Sequence, residues 1–144
     1  MSSLQGKAAF ITGAAMGNGE GIARVMAQKG AAVVLADIDA KVFDTAASIG
    51  PNAHAYKVDV ADYATIKEIA DQVIAQFGKL DILVNNAGIA RLIRIDSMDD
   101  ELRDFHYHVN VVGVWNCTKA FIPHMIRARC GRIINMSSVT GPRV

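Results

Sequence analysis

The chain has 144 residues, 51% of them hydrophobic, and its 15 basic and 14 acidic side chains leave a formal net charge of +1. That length and apolar content suit one domain with a real core, and the even charge excludes the basic field that holds nucleic acid or an anionic membrane surface. No apolar run approaches the roughly 20 residues of a membrane span, and Cys117 and Cys130 lack metal-ligand spacing, so a cytoplasmic protein with ordinary thiols and no metal site is expected.

Residues 8–11 form an apolar run of the kind found in strands buried on both faces. They lead directly into Thr12-Gly13-Ala14-Ala15-Met16-Gly17-Asn18-Gly19. Glycines there let the backbone turn sharply and approach a diphosphate closely, ahead of a helix N-terminus whose free N–H groups favour negative charge. That helix is predicted over 19–29, stopping at Gly30. A second strand over 31–36 is closed by Asp37, about 20 residues past the glycines, where an acid can accept from both hydroxyls of an adenosine ribose. A helix over 40–49, capped by Asp39, cannot continue through Gly50-Pro51. The third strand closes at Asp59-Val60, and a helix capped by Asp62 ends at Phe77 before Gly78. Residues 80–84 make a fourth strand, closed by Asn85-Asn86-Ala87-Gly88. Ser97 and Asp100 have the spacing of a capping box, opening a long fourth helix with Leu102, Phe105, Val109 and Val112 on one side and a bend or break near Pro123. A fifth strand over 132–136 ends at Ser137-Ser138.

Strands alternating with helices predict an α/β fold, a doubly wound parallel sheet of Rossmann type forming one dinucleotide-binding domain over 1–144. Right-handed crossovers give the partial order 3-2-1-4-5, truncated after strand five. The polar motifs then collect at the carboxyl ends of the strands, and the glycine loop and the Asn-Asn-Ala-Gly turn flank the crevice where the order reverses.

The T-G-x-x-x-G-x-G turn, the acid after strand two, the Asp-Val pair and the Asn-Asn-Ala-Gly turn together make the chain resemble the short-chain dehydrogenase/reductase family over nearly its whole length. The resemblance implies an oxidoreductase that moves hydride between a nicotinamide dinucleotide and a secondary alcohol or ketone. It places Gly13, Gly17, Asn18 and Gly19 at the pyrophosphate, and Asp37 and Ile38 at the adenosine. Asn86, Ala87 and Gly88 would run along the cofactor. Asp59 would accept from the adenine amino group with Val60 on the ring, unless Asp59 merely caps the next helix. Asp37 favours NAD over NADP, because a 2′-phosphate would set two like charges a few ångströms apart in a partly desolvated cleft. NADP-preferring relatives carry a base where this chain has Met16 and Ile38. Asn110, in the otherwise apolar run Val109-Asn110-Val111-Val112-Gly113, either belongs to a water-linked proton relay or is a structural amide with satisfied partners. Ser138 matches the serine that bonds the substrate oxygen. A homo-oligomer, dimer or tetramer, is implied as well.

The family's Tyr-x-x-x-Lys pair, expected roughly a dozen residues past that serine, has no counterpart there. Tyr63 and Lys67 have the spacing but sit on the helix after strand three, at the wrong end of a long dinucleotide. A C-terminally incomplete piece of a longer dehydrogenase, inactive alone, is therefore expected, with strand five and the fourth helix each exposing an apolar side. Residues 91–98 form part of a pocket wall. His106, His108, Arg91 and Arg94 read as solvated rather than as a substrate mouth, and Trp115 as core. The alternatives are a non-catalytic NAD-binding module and, against the Asn-Asn-Ala-Gly turn, an S-adenosylmethionine-dependent methyltransferase.

Overall fold

The computed structural model describes residues 3–91 and 93–138. Five parallel strands, β1 (Ala8–Thr12), β2 (Ala32–Asp37), β3 (Ala53–Lys57), β4 (Ile82–Asn85) and β5 (Arg132–Asn135), lie in the order β3-β2-β1-β4-β5. This is the expected doubly wound order. Phe10 pairs in register with Val34 on one side and Leu83 on the other, so β1 is the central strand and all five of its residues are buried.

Helices α1 (Gly17–Gln28) and α2 (Lys41–Ile49) cover one face, and α3 (Tyr63–Phe77) and α5 (Gly113–Ala128) the other. The strict alternation of side chains along a strand divides the core accordingly. Ala9, Ile11, Val33, Leu35 and Val84 pack beneath α1 and α2, while Phe10, Val34, Leu83, Ile66 and Phe121 form the opposite layer. Phe10 and Phe121 meet with ring centroids 4.8 Å apart, tying β1 to α5 through the largest buried surfaces available.

Local chemistry sets the ends of the helices. Asp62 accepts from the Thr65 N–H at 3.2 Å to start α3, and Gly78 ends it in the left-handed region at φ 75°. Ala40 stands at the cap position of α2, and the expected cap Asp39, one residue earlier, accepts from the Lys41 N–H at 2.9 Å in the turn that leads into the helix. For α4 (Asp100–Tyr107) the expected cap is replaced. Asp99, not Ser97, accepts from the Leu102 N–H at 2.8 Å, because Ser97 closes a 3-10 turn (Ile95–Ser97) and lies too far upstream. The single long helix is also interrupted. A π turn (His108–Val112) separates α4 from α5, and α5 then runs through Pro123 without a break. Two strands end earlier than their apolar runs suggest, β3 at Lys57 and β5 at Asn135. Asp59 makes a turn instead, accepting from the Ala61 N–H at 2.8 Å.

Trp115 is not core. It stands 65% exposed on α5, on one stripe with Val111, Ile122 and Ile126, facing away from the sheet. Among the described residues no helix is long and apolar enough to cross a membrane, and no cluster of His, Cys, Asp and Glu could hold a metal ion.

At the amino ends of the strands, Asp81 is buried inside an apolar run. It accepts from the Ala8 N–H at 3.0 Å, from Lys7 Nζ at 2.9 Å and from Lys79 Nζ at 3.2 Å. Burial pushes its carboxyl up, but the Ala8, Lys7 and Lys79 donors outweigh burial and hold it below the ordinary carboxylate value. A carboxylate lowered by folding stabilises the native state fully above its unfolded value near 4 and loses that contribution as pH falls through the lowered value. Asp81→Asn should therefore cost about 1–3 kcal/mol at neutral pH and flatten the fall of Tm below about pH 4, as read by thermal melts across that range.

Candidate functional site

At the carboxyl ends of β1 to β4 the chain forms a cleft of about 450 Å³. Its floor is the meeting of two turns, the glycine loop after β1 and the Asn-Asn-Ala-Gly turn after β4. Gly13, at φ 64°, lies so close to the second turn that a Cβ there would come within 2.8 Å of Ala87 Cα. Thr12 joins the same two turns. Its buried hydroxyl donates to the Val84 carbonyl at 3.4 Å and accepts the N–H groups of Asn86 and Ala87 at 3.0 and 2.9 Å. Asn86 returns the contact, its Nδ2 donating to the carbonyls of Thr12 and Gly13 at 3.0 and 3.1 Å. Neighbouring Asn85 works inward instead, its Nδ2 donating to Thr118 Oγ1 and Asn135 Oδ1 and so linking β4 to α5 and β5.

The loop then opens α1 without a side-chain cap. Met16 at that position offers no oxygen, whereas α3 and α4 each carry an aspartate there. The first N–H groups of α1, which belong to Gly17, Asn18 and Gly19, thus retain the anion-favouring character of a helix start. Gly17 is required by its φ of 62°, and Gly19 by space, since its Cβ would fall 2.1 Å from the Gly13 carbonyl oxygen.

One wall of the cleft is acidic. Asp37, Asp39 and Asp59 line it, and no Lys, Arg or His does among the described residues. Asp37 is held on both oxygens, Oδ2 accepting from the Ala15 N–H and Oδ1 from the Asp39 N–H, each at 2.9 Å. A carboxylate has about four lone-pair directions, so acceptor capacity remains for a ligand hydroxyl. Met16 and Ile38 complete this rim with exposed apolar side chains. Val60 lines the cleft from below while packing in the core, where a Cβ on Gly113 would meet it at 2.5 Å.

The other wall comes from Ile89, Phe105 and Val109 together with Gly88. The sequence reading assigned Phe105 and Val109 to a helix face, and helical periodicity cannot separate a core face from a cleft wall. Asn110 does not line the cleft. It is exposed and clasps one residue, Oδ1 accepting from the Ile89 N–H and Nδ2 donating to the Ile89 carbonyl, both at 2.9 Å. Its amide thus fixes the segment after Gly88 from within the π turn. Ser138 is exposed three residues past β5, outside the lining.

Tyr63 and Lys67 do not line the cleft. Lys119 Nζ sits 4.5 Å from the Tyr63 ring centroid and Lys67 pairs with Asp71. His106 accepts the Arg91 N–H, His108 Nδ1 donates to the Asp104 carbonyl, Arg94 pairs with Asp96 and the Arg91 guanidinium lies 5.8 Å from the Phe105 ring centroid, so these four residues are engaged locally and none lines the cleft. Within 91–98, residue 92 lies outside the described residues.

Two glycines of α1 give a direct test of the cradle. Gly19→Ala should cost about 1–3 kcal/mol, because its methyl must displace the Gly13 carbonyl. Gly21→Ala, with nothing within 4 Å of the added carbon, should instead stabilise by up to about 1 kcal/mol. Denaturant melts of the two variants measure both.

Comparison with known proteins agrees with this geometry. The family described as short chain dehydrogenase matches residues 7–144. Oxidoreductase UcpA of Salmonella typhimurium is 48% identical over 147 aligned residues, covering 100% of this chain and 56% of the relative. Galactitol 2-dehydrogenase of Agrobacterium fabrum is 45% identical, covering 97% of this chain and 56% of the relative. The chain therefore spans a little over half the length of these curated relatives. The crystal structure of a 3-ketoacyl-(acyl-carrier-protein) reductase from Brucella melitensis, complexed with NADH, superposes with a TM-score of 0.89 at 39% identity, covering 94% of this chain and 59% of that one. A Rossmann-type sheet in this order, with this cradle and these relatives, leaves no room for the methyltransferase alternative: the chain belongs to the short-chain dehydrogenase/reductase family.

Proposed function

We propose that the cleft binds NAD(H) in preference to NADP(H) and serves hydride exchange with a secondary alcohol or ketone in the whole enzyme. The observation that carries this reading is that an uncapped helix start and an acidic rim, without Lys, Arg or His among the described residues, meet at one cleft. A diphosphate finds N–H donors at the α1 end. An unphosphorylated ribose finds the acceptors of Asp37, and a 2′-phosphate finds three carboxylates with no lining cation among the described residues to offset them.

The residues fit such a group. Gly13 and Gly88 keep the floor free of side chains, Gly17 and Gly19 shape the turn, and Asn18 supplies a first-turn N–H. Asn86 and Ala87 hold the floor to β1. Asp59 and Val60 offer an acceptor and an apolar surface for adenine, beside Ile38. Bound nicotinamide supplies the hydride acceptor or donor; the chain's part is to orient it and to exclude water. Ser138 is proposed to bond the substrate oxygen, and Asn110 to act through the Ile89 backbone on the nicotinamide side of the cleft.

No tyrosine follows Ser138 in the sequence, and Tyr63 and Lys67 lie elsewhere, so the 144-residue chain is proposed to bind the cofactor without turning over alcohol. Cys117 is buried and pushed up to about 12 by desolvation, which makes it inert, and Cys130 is a free exposed thiol. Two unpaired thiols accord with a cytoplasmic setting. The apolar stripe on α5 supports a homo-oligomer of the whole enzyme.

Fluorescence titration of the chain with NADH and NADPH tests the reading. NADH should bind at least about tenfold more tightly, and Asp37→Ala should narrow that gap. Equal affinities in the unaltered chain would overturn the preference, and failure to bind either would overturn the cofactor assignment. A ketone added to the NADH complex should leave the NADH absorbance unchanged.

A further inference from the structure

Ala15 lies in the loop between β1 and α1, fully buried, and its backbone is gripped on both sides by groups from outside the loop. Its N–H donates to Asp37 Oδ2 at 2.9 Å, and its carbonyl accepts from Thr45 Oγ1 at 2.8 Å. Thr45 sits on α2 and is 4% exposed. A helical threonine ordinarily turns its hydroxyl back to a carbonyl of its own helix one turn earlier. This one reaches across to the loop, which an isosteric valine could not do.

Asp37 and Thr45 are thus coupled through a single residue. The carboxylate that faces the cleft takes its orientation from the Ala15 N–H, and the peptide carrying the next carbonyl is fixed by Thr45. Ala15 is also two residues before Gly17, where the N–H groups of α1 begin. We infer that Thr45, which does not line the cleft, is a positioning residue for nucleotide binding: through Ala15 it sets both the diphosphate loop and the ribose acid. This rests on the nucleotide reading given above and extends it to a residue outside the cleft.

The test compares Thr45→Val and Thr45→Ser in the 144-residue chain, with circular dichroism to establish folding and titration by NADH and NADPH. Thr45→Val should raise the NADH Kd about tenfold and reduce the discrimination between the two dinucleotides, because the loop loses its anchor on the Ala15 carbonyl and the Ala15 N–H that orients Asp37 is held less firmly. Thr45→Ser, which keeps the hydroxyl, should remain within about twofold of the unaltered chain. A purely structural threonine would lower Tm and leave Kd and discrimination of the folded variant unchanged, and that result would overturn the inference. If Thr45→Val does not fold, hydrogen exchange in the unaltered chain decides. The Ala15 amide should exchange at least about tenfold more slowly than the Gly17 amide without nucleotide, and equal rates would overturn the inference. Absence of NADH and NADPH binding by the unaltered chain would sink the cofactor reading instead, while the exchange comparison still judges the brace on Ala15.

Discussion

The hydroxyl of Thr12 is the point on which the cleft depends. In an open parallel sheet the central strands end in separate loops, and nothing in the ladder beyond their last residues keeps those loops together. Here one buried oxygen uses its donor on β4 and its acceptor capacity on the two N–H groups of the following turn. Asn86 closes the circuit by capturing two carbonyls of the glycine loop. Buried backbone groups that would otherwise need water are satisfied by side chains from the opposite turn, and the crevice acquires a fixed floor.

Given that floor, the distribution of aspartates explains the polarity of the cleft. Asp62 and Asp99 cap the starts of α3 and α4, and neither lines this cleft. At α1 the chain places a methionine instead. Acid is concentrated in the lining at Asp37, Asp39 and Asp59, and the start of α1 keeps its donors free of a side-chain cap. In the proposed reading, the unlike character of these two features sets the direction in which an unevenly charged dinucleotide lies.

Much of this was legible because backbone geometry restricts residue type. Gly13, Gly17 and Gly19 occupy positions that a side chain cannot share, and Asp37 ends a strand whose apolar run is unmistakable. The strand order followed from crossover handedness, and Asp62 and Gly78 bracketed α3 as expected. Less legible were features fixed by partners distant in sequence. Asp81 sits inside an apolar run, and only the fold brings Lys7, Lys79 and the Ala8 N–H to it. Ser97 was the expected cap of α4, and Asp99 takes that place because Ser97 closes a 3-10 turn that leaves no periodic trace. Asn110 looked like a buried amide among valines, yet it is exposed and bonded to Ile89 because the helix widens into a π turn there. Phe105 and Trp115 share an apolar helical pattern, but one borders the cleft and the other points outward.

The contact between Gly19 and the Gly13 carbonyl has a further consequence. With less than one carbon atom of clearance between helix and loop, the cradle has nowhere to contract when a guest arrives. That junction is already closed, so a guest cannot draw loop and helix nearer together there.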